Sequence, residues 1–260
     1  MEKFKIIDSH AHCISKPELK ADLFWFDQNY KNKIDNYLNT FKKNNLEKAI
    51  IYLLDEKALS IKCNNYTKLV FGLAINFRSP GFQSRVIKAK QNGFKSIKIL
   101  TYEQKIVKKD YAAILSMAKV VEKQNMFLTI CATFGGDDPY RHDALALARF
   151  LLKNGYRGSL ILAHAGGSRI KEALLFAEAY PNVYFDTSFT TTFWRRSTVI
   201  SDLSWGIKKY PNRFFFGSDS PYIGFLEAKK DAIEMLKPLS LNLRKKYFYT
   251  NIKDFLKQYE

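Results

Sequence analysis

Cysteine, long apolar runs and acidic residues are all in short supply in this chain of 260 residues, and each shortage excludes something. The three cysteines, Cys13, Cys63 and Cys131, are an odd number at wide spacings with no C-x-x-C pair. That pattern excludes a disulfide framework and points to a reducing compartment, the cytoplasm. No stretch approaches the roughly 18 consecutive apolar residues of a membrane-spanning helix. The opening segment turns polar at Asp8, before the apolar centre of a signal peptide could form. Pro/Gly/Ser-rich linkers, internal repeats and low-complexity tracts are missing as well, so nothing marks a domain boundary.

Acid is outnumbered, with 42 Lys+Arg against 25 Asp+Glu and a net charge of +17. The surplus is mostly lysine spread along the chain, and its densest runs are short: Lys42-Lys43, Lys108-Lys109, Lys229-Lys230 and Arg244-Lys245-Lys246. Nucleic-acid binders gather their cations on one face. The excess therefore reads as a solvated lysine-rich surface, with neither nucleic acid nor membrane as partner. What the chain has in quantity is core, since 47% of its residues are hydrophobic and 26% charged, the balance of a globular protein. Its expected partners are a small-molecule substrate and, as a homodimer, a second copy of itself.

Short apolar or β-branched runs alternate with longer amphipathic stretches, the pattern of a parallel sheet covered by helices. Eight strands are expected, at Phe4–Ile7, Lys48–Leu54, Leu69–Ile75, Ser96–Leu100, Phe127–Cys131, Ser159–Ala163, Val183–Asp186 and Arg213–Gly217. Two of the intervening helices show one apolar face each: Tyr111, Ile114, Leu115, Ala118 and Val121, then Ala144, Leu147, Ala148, Leu151 and Leu152. Asn154-Gly155, Pro181-Asn182 and Pro211-Asn212 punctuate the pattern. Eight strands in about 250 residues predict a single (β/α)8 TIM barrel of the α/β class over residues 1–260. Residues 14–33 are expected to be a loop over the barrel mouth, and residues 240–260 a C-terminal helical extension.

Catalytic residues of such barrels come from the C-terminal ends of different strands. Three of the four histidines fall there: His10 and His12 in Asp8-Ser9-His10-Ala11-His12, and His164 after the sixth strand. Asp219 follows the eighth. Alternate strand residues face one side, so His10 and His12 both reach the mouth and can share one metal ion. The fourth histidine, His142, sits near a helix start, where a cap or surface role competes with a site role, and Asp137 and Asp138 in the turn before it read as turn and cap residues.

In these residues the chain resembles the amidohydrolase superfamily, in its amidohydrolase-related branch of aminocarboxymuconate-semialdehyde decarboxylase-like metal-dependent hydrolases. The resemblance rests on Ile7-Asp8-Ser9-His10-Ala11-His12, Gly93-Phe94-Lys95-Ser96-Ile97-Lys98-Ile99, His164-Ala165-Gly166-Gly167, Asn182-Val183-Tyr184-Phe185-Asp186-Thr187-Ser188, Phe216-Gly217-Ser218-Asp219-Ser220-Pro221 and Tyr249-Thr250-Asn251. It implies one divalent ion, Zn2+ in the common case, held by His10, His12, a fifth-strand histidine and Asp219, with Asp219 and His164 as catalytic residues. At the fifth strand the chain departs from the pattern and carries Cys131. Two readings stand: a thiolate ligand in place of the imidazole, or a small buried residue.

Around the mouth, Lys98, Arg78, Arg169 and Trp194, the last beside Arg195-Arg196, are candidates for binding a small anionic substrate, because guanidinium forks match carboxylates. For each arginine a surface or capping role is the alternative. Phe24-Trp25-Phe26 suits an apolar cover. The expected activity is metal-dependent hydrolysis of an amide, lactone or ester. A non-oxidative decarboxylase of a small aromatic or enol acid is the second reading, and a ligand-binding barrel with an impaired metal site the third.

Overall fold

The computed structural model describes residues 5–12, 30–133 and 140–260. Eight strands, β1 (Ile6–His12), β2 (Leu46–Leu53), β3 (Leu69–Ala74), β4 (Ser96–Leu100), β5 (Phe127–Cys131), β6 (Leu160–Ala163), β7 (Val183–Asp186) and β8 (Phe214–Phe215), lie side by side in chain order. Every neighbouring pair is parallel. The helices α1 (Tyr30–Asn44), α2 (Phe82–Gln91), α3 (Tyr111–Lys123), α4 (Ala144–Lys153), α5 (Ile170–Ala179), α6 (Thr190–Phe193) and α7 (Thr198–Lys209) run between strands. After β8 come α8 (Phe225–Leu236), α9 (Leu241–Lys245) and α10 (Asn251–Lys257). Short 3-10 turns replace the helix between β2 and β3.

The sheet closes at the seam between its first and last strands. Ser9 N donates to Phe216 O at 2.8 Å, Asp219 N to His10 O at 2.8 Å and His12 N to Ser220 O at 2.6 Å. The result is the (β/α)8 barrel that the strand pattern predicts.

Period-two alternation divides the strands between two cores. On β2, Ile50 and Tyr52 face the barrel interior while Ala49, Ile51 and Leu53 face the helices. On β5, Phe127 and Cys131 point in and Leu128 and Ile130 out. The first strand breaks this rule where it matters. Its register shifts between Asp8 and Ala11, so Ile7 faces inward and Ala11 outward. Without that irregularity, His10 and His12 would share the outward face of Ile6, since a one-residue slip exchanges the two faces.

Strands β4, β5 and β7 begin and end where the apolar runs do. β1 continues to His12, beyond the expected Ile7, because its later residues pair with both β2 and the seam. β8 shrinks to two residues, because the chain from Phe216 onward leaves the ladder with β7 and bonds across the seam. Part of the expected loop 14–33 is helical, since α1 starts at Tyr30. The remainder, with Phe24-Trp25-Phe26, lies outside the described residues, as do Cys13, Asp137 and Asp138.

The C-terminal extension is helical, and it is also part of the core. Ile252, Phe255, Leu256 and Tyr259 join the inward-facing residues of the strands in one cluster. The Phe255 ring lies 5.0 Å from that of Phe127, 4.8 Å from Tyr184 and 5.3 Å from Phe215. Phe127 and Ile7 stand near the starts of their strands, so α10 closes the end of the barrel opposite the strand-end histidines. Phe255→Ala should therefore cost about 3–5 kcal/mol of stability, read as a lower urea midpoint, with metal content at the far end unchanged. An unchanged midpoint would make the helix peripheral.

Candidate active site

The inward residues at the C-terminal strand ends meet at one point. His10 Nε2 lies 3.2 Å from His12 Nε2 and 3.6 Å from Asp219 Oδ1, and His12 Nε2 lies 3.3 Å from Asp219 Oδ1. All three side chains are buried. Lys98, 2% exposed despite its length, extends from β4 into the same point. Its Nζ is 2.7 Å from His10 Nε2, 3.4 Å from His12 Nε2 and 4.7 Å from the centre of the Tyr52 ring.

The outer nitrogens fix which way the imidazoles point. His12 Nδ1 is 3.2 Å from Tyr52 O, a pure acceptor, and His10 Nδ1 makes a very short contact with the Asp186 carboxylate. Both Nδ1 atoms thus carry protons, and both Nε2 atoms turn lone pairs towards the Asp219 carboxylate. Burial, then the Lys98 charge, push His10 down to about 3, and the same two causes lower His12. Burial raises Asp219, but the imidazoles around it, His12, His164 and His10, hold it below its ordinary value. Three acceptors facing one another at 3.2–3.6 Å repel unless a cation offsets them, and the Lys98 ammonium beside His10 and His12 supplies one such charge.

The donor set suits a metal ion. Tetrahedral ligands with zinc bonds of roughly 2.0–2.2 Å stand about 3.3–3.6 Å apart, and the three atoms match those edges. His10, His12 and Asp219 are the group of metal-type donors that this structure brings within 4.8 Å of one another among the described residues. Cys131 stands outside that group. It is buried at the end of β5, beside His164. Burial alone would depress the His164 imidazole, but attraction to the Cys131 sulfur, then to Asp219 and Asp186, carries it up to about 10. His164 Nδ1 is 2.9 Å from Ser188 O and 3.0 Å from Ser188 Oγ, and its ring centre is 5.0 Å from that of His10.

Two supporting carboxylates were not singled out in the sequence. Asp186, at the end of β7, accepts from Ser188 N at 2.7 Å as well as from His10. Asp8 accepts from Tyr37 Oη at 2.7 Å, Ser218 N at 2.8 Å, Ser218 Oγ at 2.5 Å and His10 N at 3.1 Å. Burial nevertheless outweighs these four donors and raises Asp8 to about 6. A buried carboxylate inside an apolar strand needs such partners, and that is the signal by which Val183-Tyr184-Phe185-Asp186 could have been read as a site element. Gly217 is required by close approach: a Cβ there would lie 2.5 Å from Asp186 Oδ1 and 2.9 Å from His10 Cβ. Left-handed backbone at His164 (φ 62), Ala165 (φ 50), Phe189 (φ 61) and Asp219 (φ 61) stores strain at this end of the barrel.

The outer candidates fall elsewhere. Arg78 forks onto Asp110, with Nε 3.0 Å from Oδ1 and Nη2 2.7 Å from Oδ2, and donates Nη1 to Gln104 O at 2.8 Å. Arg169 pairs with Asp143 at 2.9 Å and with Glu172. Trp194 is half-buried against Phe193, with ring centres 5.1 Å apart. His142 contacts the Ile106 carbonyl at 2.9 Å through Nδ1, apart from the metal-type donors. Lys98 alone of the four substrate-binding candidates reaches the donor cluster. Among the described residues, no helix is long and apolar enough to cross a membrane.

No curated protein is detectably similar in sequence. Among solved structures, the chain is similar to a probable 2-pyrone-4,6-dicarboxylic acid hydrolase from Acinetobacter baumannii with citric acid bound, with TM-score 0.72 and 13% identity over 97% of this chain and 99% of that one. It is similar to 5-carboxyvanillate decarboxylase from Sphingomonas paucimobilis, with TM-score 0.68 and 11% identity over 98% and 99% of the two chains. A dihydroxybenzoic acid decarboxylase from Polaromonas, solved with manganese and 2-nitroresorcinol, gives TM-score 0.68 and 14% identity over 98% and 97%. At such identities the likeness speaks for the fold. The sequence pattern of the amidohydrolase family itself matches residues 7–258, from the strand that carries His10 and His12 to the helix that closes the barrel, and the chain belongs to that family.

Proposed function

We propose that this protein is a metal-dependent hydrolase acting on an amide, lactone or ester of a small molecule, with His10, His12 and Asp219 as the ligands of one divalent ion, Zn2+. The observation that carries the reading is the convergence of three acceptor atoms at 3.2–3.6 Å, with the two imidazoles steered from behind by Asp186 and Tyr52 O. Three protein ligands leave a coordination position open, as catalytic rather than structural zinc sites do. An ion bound there supplies Lewis acidity to a carbonyl oxygen and lowers the pKa of water to about 7.

The chain's own groups divide the remaining work. Asp219, held ionised, accepts the proton of the attacking water and returns it to the leaving group. His164, held protonated by Cys131 and the nearby carboxylates, faces the charge that develops on the substrate oxygen. Lys98 adds a cation at the floor of the site, suited to a carboxylate or carbonyl oxygen. Asp186 and Ser188 hold His10 and His164 in orientation. In this reading Cys131 serves His164 and does not close the open position.

Non-oxidative decarboxylation is the second reading, favoured by the decarboxylases of the same fold and by a site in which a cationic His164 stands ready to protonate a carbanion. The product discriminates: CO2 marks the decarboxylase, and acid release or ring opening marks the hydrolase.

Elemental analysis of untagged protein should find about one divalent ion per chain, lost in His10→Ala and retained in Cys131→Ser. Loss in both variants would make the thiolate a ligand, and no ion even after reconstitution would favour a ligand-binding barrel. Asp186→Asn removes the charge behind His10 without touching a ligand, so metal affinity should fall about 10–100-fold, measured by competition with a chromophoric chelator. Asp219→Asn should abolish turnover of any lactone, amide or aromatic acid found to be a substrate, and parental turnover would remove Asp219 from the mechanism.

A further inference from the structure

Lysine is almost never fully buried unless it is paired with an opposite charge. Lys98 is 2% exposed, yet among the described residues no carboxylate forms an ion pair with it. Its hydrogen bonds go instead to His10 Nε2 at 2.7 Å and His12 Nε2 at 3.4 Å. Both imidazoles keep their protons on Nδ1, facing Asp186 and Tyr52 O, so both Nε2 atoms are acceptors and the ammonium is the donor. These two lone pairs are the ones that a metal ion would need.

The barrel interior gives the ammonium a second seat. The Tyr52 ring centre lies 4.7 Å from Lys98 Nζ, and also 4.7 Å from the centre of the His10 ring. That ring is braced from neighbouring strands: Tyr52 Oη is 2.9 Å from Thr129 Oγ1, which is 3.1 Å from Ser96 Oγ. An aromatic face attracts a cation without taking up a lone pair. The flexible four-carbon stem of lysine allows the ammonium to shift between the imidazoles and the ring. An imidazole lone pair that accepts an N–H cannot bind an ion at the same time. A positive charge held beside the donors also repels an arriving cation.

We propose that Lys98 is a built-in competitor for the metal site: its ammonium holds the His10 and His12 lone pairs and has to give them up, keeping the Tyr52 face, before an ion binds. Lys98 then has two effects of opposite sign. It offsets the mutual repulsion of the three acceptors, and it weakens their hold on the ion. Once it has left the imidazoles, the same ammonium is free to meet a substrate oxygen. The inference rests on His10, His12 and Asp219 being the metal site proposed above.

Zinc affinity of the chelator-stripped full chain, measured by competition with a chromophoric chelator, tests it. Lys98→Met keeps an unbranched apolar stem and loses the charge, and should bind zinc at least about tenfold tighter than the parent, the scale of one charge-assisted hydrogen bond. Lys98→Gln should shift the affinity in the same direction, and decides alone if Lys98→Met does not fold. Added zinc should also raise the melting temperature of either variant by more than it raises that of the parent. Unchanged affinity overturns the proposal, and weaker binding does so by making Lys98 an aid to the ion. His10→Ala separates this failure from that of the metal site. Zinc that survives His10→Ala, or uptake by no variant and not by the parent, removes the site and the competition together. Zinc lost in His10→Ala but indifferent to Lys98→Met leaves the site standing and removes the competition alone.

Discussion

The seam between β1 and β8 is the joint on which the rest of the molecule depends, and Asp8 is its centre. Its carboxylate takes donors from Ser218 and Tyr37 and from the backbone of His10, so the first strand, the last strand and α1 are tied through one side chain. The atoms joined there flank the metal-type donors on both sides. His10 and His12 sit on one strand of the seam and Asp219 on the other, and Asp219 N donates to His10 O at 2.8 Å. Closing the barrel and bringing the ligands together are therefore a single event.

Electrostatics at the strand ends follow from this closure. Burial strips water from a dense group of ionisable side chains, and each must find compensation inside the protein. His10 and His12 respond by staying neutral, with protons on the nitrogens that face Asp186 and Tyr52 O. Asp219 and Asp186 respond by staying charged, against neighbouring imidazoles. His164 goes the other way and holds its proton beside Cys131. The two halves of the site thus differ in character: lone pairs and a carboxylate on the β1 and β8 side, a cationic donor on the β6 side. A polarised carbonyl needs both, a site for its oxygen and groups that move protons around it.

Strain is concentrated at the same end. Asp219, His164, Ala165 and Phe189 all adopt left-handed backbone without being glycine, in the segments that follow β8, β6 and β7. At the opposite end lies an aromatic cluster of Phe127, Tyr184, Phe215, Phe255 and Tyr259 sealed by α10. The division is the one expected of this architecture, with stability at the closed face and chemistry at the open one.

Much of this was legible in the residues alone. Apolar runs separated by amphipathic stretches determined the strand count and the parallel barrel, because a strand buried on both faces has to read as a continuous apolar run. The polar residues that end those runs, His10, His12, His164 and Asp219, were recognisable because nothing but a site or a partner justifies them there. The sequence could not show that β1 shifts register between Asp8 and Ala11, although the inward aim of both histidines depends on it, because a bulge leaves no periodic trace. Nor could it show that Arg78 and Arg169 are neutralised by Asp110 and Asp143, or that Cys131 adjoins His164. These are pairings between residues far apart in the chain, so composition and spacing determined which groups reach the barrel mouth, and only the tertiary structure decided which of them meet.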